Sequence, residues 1–110
     1  MDVNMKTNLV EECTVYGSTS TGKTTFLVKK CLEKLFYGES CIFVTADRDL
    51  MVEGLPCEVL YTLALDYVLK MKPKHLFVDC PHQLSETDKL KCRVNGISVT
   101  VAVQVNRYRP

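Results

Sequence analysis

The spacing of residues in the run GSTSTGKT, Gly17 to Thr24, constrains this chain more than any other feature. Four small hydroxyl residues, Ser18, Thr19, Ser20 and Thr21, lie between Gly17 and Gly22, and Lys23 and Thr24 follow at once. The pattern is G-x-x-x-x-G-K-[ST], which requires a strand before the loop and a helix after it. Glycines at both ends let the backbone bend so that its N–H groups face inward as an anion cradle. A helix starting near Gly22 or Lys23 would add its positive N-terminal end. Both flanks fit. Cys13-Thr14-Val15-Tyr16 is a short β-favouring run. Phe26, Leu27, Cys31, Leu32, Leu35 and Phe36 form one apolar face at helical spacing, with Gly38 as the stop.

The rest of the chain alternates in the same way. Residues 1–8 are polar and expected to be loosely ordered, with Leu9-Val10 as a short leading strand. Residues 9–110 then form one domain, since 110 residues suffice for a single small core. Cys41 to Thr45 and His75 to Asp79 are nearly continuous apolar runs, as expected of strands covered on both faces. Cys57 to Leu60 is a further short strand candidate. Leu60, Leu63, Ala64, Tyr67, Val68 and Met71 predict a helix that Pro73 ends. Ser85 can cap a short helix reaching about Arg93, Asn95-Gly96 turns, and Ile97 to Val103 is a β-branched strand. This order predicts a three-layer α/β/α sandwich with a mainly parallel sheet and right-handed crossovers. Ligands of such sheets bind at the carboxyl ends of the strands. That edge would carry the loop, Asp47, Asp79 and Gln104.

The glycine loop fits the P-loop, or Walker A, pattern of nucleoside triphosphate-binding proteins. Residues Gly17 to Thr25 would surround the phosphates. Lys23 would reach the β- and γ-phosphates, and the Thr24 hydroxyl would bind Mg²⁺. Leu76-Phe77-Val78-Asp79 fits the companion Walker B pattern, a hydrophobic strand ending in a carboxylate. Asp79 would hold the Mg²⁺ shell beside Thr24. The expected ligands are therefore Mg²⁺ and a nucleoside triphosphate, with ATP as the prior.

Composition narrows the setting. No apolar run approaches the roughly 20 residues needed to span a bilayer, and the N-terminus has no apolar signal region. No membrane partner is expected, and a cytoplasmic location, in a cell or an infected host cell, is. The net charge of +1 gives no general reason to expect nucleic acid. The six cysteines contain no C-x-x-C pair, and His75 and His82 have no ligand-spaced partner. Buried reduced thiols and structural histidines are the expectation.

Two further segments carry a family resemblance. Cys41-Ile42-Phe43-Val44-Thr45-Ala46-Asp47-Arg48-Asp49-Leu50 resembles the strand of RecA-type recombinases that ends in D-A-E-H-A-L, and the S-L-E segment of DnaB-type helicases. Val103-Gln104-Val105-Asn106-Arg107 is similar to the S-Q-L-N-R segment of the same helicases. The resemblance implies a RecA-like core in which Asp47 is the acid acting on the attacking water. It makes Gln104 the sensor of the γ-phosphate. Arg107 and Arg109 take the R-x-R form of a basic finger that acts on a neighbour's nucleotide in related ring ATPases; a polar tail is the plainer reading. Asp47 is one methylene shorter than the family's Glu, leaving its carboxylate about 1.5 Å short of the water. Misplacement on that scale can cost about 100-fold in rate. Cys80 follows Asp79, where many ATPases have the catalytic Glu.

The reading that follows is Mg²⁺-dependent ATP binding with slow hydrolysis, coupled to nucleic-acid processing. A nucleotide-binding switch or assembly module without useful turnover stays open beside it. A small P-loop kinase is a third class, disfavoured because residues 80–96 leave little room for a substrate lid. Exposed sheet edges make a homo-oligomer a reasonable expectation.

Overall fold

In a computed structural model of the chain, the described residues are 10–17, 22–46, 55–80 and 82–105. Their strands are β1 (Glu12–Gly17), β2 (Cys41–Val44), β3 (Glu58–Leu60), β4 (His75–Val78) and β5 (Ser98–Gln104). Their helices are α1 (Lys23–Phe36), α2 (Leu65–Met71) and α3 (Glu86–Val94). The strands form one sheet in the order β1-β5-β4-β2-β3, and every neighbouring pair is parallel.

Alternation along the strands sorts the core into two halves. On one face Cys41, Phe43, Phe77 and Ala102 pack with Leu27 and Cys31 of α1. On the other, Ile42, Val44, Leu76, Val78, Val99 and Val101 pack with Val68 of α2 and Cys92 of α3. The sheet is thus covered on both sides. That is why β2 is apolar at every position, β4 at every position after His75, and both are buried throughout. Phe43 and Phe77, neighbours across β2 and β4, stack with ring centroids 6.1 Å apart. Burying each such ring contributes roughly 1.5–3 kcal/mol.

Most expected elements are present at nearly the expected places. Ser85 caps α3, its hydroxyl accepting from the Asp88 N–H at 3.1 Å. Gly38 and Gly96 end α1 and α3 at φ of 82° and 75°, in the left-handed region that suits glycine. The second helix is shorter than its apolar stripe. Leu60 lies in β3, opposite Val44, and its carbonyl accepts from the Thr45 N–H at 2.9 Å. Sheet pairing therefore claims the start of the stripe, and α2 begins only at Leu65. It stops at Met71, before Pro73, with Lys72 left-handed at φ 47°. Val10 is not in a strand, and Leu9 lies outside the described residues.

The strand order matters for the site. From β1 the chain crosses to β2 on the far side of β5 and β4, with α1 on one face. It then returns through α2 and α3 on the other face. The outward course ends at β3 and turns back there, so that the last strand, β5, is inserted between β1 and β4. Ligands of open α/β sheets bind at the carboxyl ends of such strands.

Candidate functional site

Gly22 is the N-cap of α1, at φ 86° and ψ 15°. A Cβ there would meet nothing within 4 Å, so the need for glycine comes from the backbone angle rather than from crowding. Among the described residues no side chain caps the helix, and its first turn holds no acidic residue. The N–H groups of that turn are therefore not satisfied by a side-chain cap among the described residues, nor masked by a carboxylate of the same turn, as an anion seat requires.

The first two helical residues are Lys23 and Thr24. Lys23 is 7% exposed, an unusual position for an ammonium group. The Thr24 hydroxyl donates to the Asp79 carboxylate, at 2.9 Å from Oδ2 and 3.1 Å from Oδ1. These two residues are 55 positions apart in sequence. Asp79 directly follows β4 and is 3% exposed. Its backbone N–H donates to the Val44 carbonyl at 2.8 Å, which extends the β2–β4 ladder by one step and fixes where the side chain starts.

Thr45 completes this group. It follows β2, is fully buried, and its hydroxyl donates to Asp79 Oδ2 at 3.3 Å. Burial pushes the Asp79 carboxyl above its ordinary value. Hydrogen bonds from Thr24, Thr45 and the Cys80 N–H, with the charge of Lys23, act against that rise. The carboxylate is thus buried, held from two hydroxyls and close to a cation.

Gln104 ends β5 and pairs in register with Gly17, the last residue of β1. The Val105 N–H donates to the Gly17 carbonyl at 2.8 Å. Because β5 separates β1 from β4, Gln104 stands at the strand-end edge between the loop side and the Asp79 side. Thr25 is exposed on the first turn of α1. Ser18, Thr19, Ser20, Thr21, Asp47, Arg107 and Arg109 lie outside the described residues.

The donor set suits Mg²⁺ accompanied by phosphates. That ion keeps several waters and takes one or two protein oxygens with substrate phosphates. Thr24 and Asp79 supply such oxygens. Among the described residues, no group of three or more His, Cys, Asp or Glu could hold a metal ion.

His75 has a structural setting at the other end of β4. Its Nε2 lies 2.6 Å from Glu39 Oε1, and its N–H donates to the Ser40 carbonyl. The buried Nε2 of His82 has no hydrogen-bond partner among the described residues. No described helix is long and apolar enough to cross a membrane.

Residue type alone does not mark Thr45 as part of the site. The signal available in sequence is position: a hydroxyl residue ends an otherwise apolar strand run beside the strand that carries Asp79. No protein-family model matches the chain, and no curated protein matches it.

Proposed function

We propose that this chain binds a Mg²⁺–nucleoside triphosphate, ATP by preference, at the N-terminus of α1. In this reading it is a minimal RecA-like P-loop domain with slow hydrolysis. The observation that carries the proposal is the Thr24–Asp79 hydrogen bond, which joins the two ends of the Walker A and Walker B patterns. In this reading Lys23 and the α1 N–H groups hold the phosphates, and Thr24 holds the ion with Asp79 behind it. Bound Mg²⁺ would neutralise charge on the phosphate oxygens. The register of Gln104 beside Gly17 supports a γ-phosphate contact for Gln104. The strand order, with β5 between β1 and β4, is compatible with the RecA-like assignment.

Hydrolysis further requires Asp47, or another base, to orient water. A nucleotide-holding switch is the second reading, favoured by Cys80 beside Asp79 and by the shorter acid at Asp47. Nucleic-acid processing is the process that the resemblance suggests.

Calorimetry with ATP, in Mg²⁺ and in EDTA, tests the binding. Mg²⁺-dependent binding that is lost in Lys23→Ala supports it; no binding of any nucleoside triphosphate by the folded wild type overturns it. Phosphate release, followed for hours with and without single-stranded DNA, then separates the readings. Turnover that falls strongly in Asp47→Asn supports the ATPase. Binding without turnover supports the switch.

A further inference from the structure

Away from the phosphate site, three thiols meet on the α1 face of the sheet. Cys31 lies in α1 and is fully buried, Cys41 opens β2, and Cys57 immediately precedes β3. Cys31 Sγ and Cys57 Sγ are 3.8 Å apart, in van der Waals contact. Both belong to the cluster that seats α1 on the sheet, together with Phe43 and Phe77. A disulfide needs a sulfur separation of about 2.05 Å. Closing the remaining gap requires the two side chains to rotate toward each other or their backbones to shift.

We propose that Cys31 and Cys57 are a reversible oxidation site, taking a hydroperoxide or a small disulfide as oxidant and closing into an intramolecular disulfide. The two thiols differ in the way that such a reaction needs. Cys57 is half-buried and Cys31 fully buried, so oxidant meets Cys57 first. The hydrogen bond from Cys31 lowers the Cys57 thiol below its ordinary value, which favours its thiolate. Hydrogen bonds to Cys41 and Cys57, with burial, hold the Cys31 thiol well above its own.

With hydrogen peroxide, the Cys57 thiolate attacks one oxygen, breaks the O–O bond and becomes a sulfenic acid, releasing hydroxide. Cys31 passes its proton to that hydroxide, and its sulfur attacks the Cys57 sulfur. The S–O bond breaks, and the oxygen leaves as water after taking up a proton from solvent. Two thiols and one peroxide thus give one disulfide and two waters. With oxidised glutathione, Cys57 forms the mixed disulfide and Cys31 displaces glutathione. Either route ties α1 to the strand edge at β3. The bond closes the loop from residue 31 to residue 57, which restricts the unfolded chain.

The test treats the full chain with peroxide, and separately with oxidised glutathione, and maps it by non-reducing proteolysis and mass spectrometry. The expected result is a Cys31–Cys57 crosslinked peptide, two hydrogens lighter than its reduced parts. Oxidation should raise the melting temperature by about 10 °C, reversibly with dithiothreitol. Cys57→Ser should abolish both effects. The proposal is overturned if Cys31 and Cys57 stay reduced, if Cys31 pairs with Cys41, or if glutathione remains on Cys57. Wild-type mapping decides among these outcomes even where a variant fails to fold.

Discussion

Asp79 is 3% exposed, and burial raises its carboxyl above the ordinary value. The fold therefore holds a carboxylate where a neutral group would be more stable. Thr24 and Thr45 donate to it, yet hydroxyl donors only reduce that cost. Such a group is expected where function, rather than stability, sets the residue. Asp79→Asn keeps an acceptor for both hydroxyls and removes the buried charge. Thermal unfolding of this variant without ligand should show a gain of about 0.5–2 kcal/mol. Calorimetry should show ATP affinity in Mg²⁺ falling about tenfold or more, a loss of ~1.4 kcal/mol, with little change in EDTA. A variant less stable than wild type would mean that the carboxylate serves the fold.

At the scale of elements, the helices differ in what defines them. The position of α1 and its glycine N-cap are legible in sequence, but its expected apolar face is only half used: Leu27 and Cys31 are buried and Leu35 packs against the core, whereas Phe26, Leu32 and Phe36 are exposed. The third helix is legible for another reason: Ser85 has the residue type and offset of a cap, and the bond to Asp88 forms. Because Ser85 is exposed and lies outside the proposed phosphate site, Ser85→Ala isolates this one contribution. Chemical denaturation should show a loss of about 0.5–2 kcal/mol, with ATP affinity unchanged. The start of α2 was not legible. The run from Leu60 to Met71 has helical periodicity throughout, but pairing with β2 takes Leu60 into a strand. Local periodicity carries no information about that distant partner. The same limit hides Thr45. Its role depends on β2 and β4 being neighbours, and only the strand order supplies that.

For the whole molecule, the two ends of the sheet have opposite electrostatic tasks. The carboxyl ends of the strands gather Lys23, Thr24, Asp79 and Gln104. At the amino end of β4, His75 joins the strand to the segment before β2 through Glu39 and Ser40. Burial pushes His75 below its ordinary value and outweighs the bond to Glu39, which acts in the other direction. The same bond holds Glu39 below the ordinary carboxylate range. For both residues the unfolded chain binds protons more readily, so stability falls as pH falls. The His75 contribution is intact above its ordinary value of 6.5 and is lost progressively below it. The Glu39 contribution is intact above 4.5 and is lost as pH drops through the lower, folded value. Asp79 has the opposite sign: its raised value favours the folded state at acid pH, and this advantage fades as pH rises above 3.8. Between neutrality and pH 5 the histidine therefore loses its contribution to stability on acidification. Melting temperature measured across that range should fall on acidification, beginning below about pH 6.5. His75→Gln keeps a polar side chain facing Glu39 but cannot take up the proton, so it should flatten that slope while lowering the neutral-pH stability. An unchanged slope in His75→Gln would place the acid sensitivity elsewhere in the molecule.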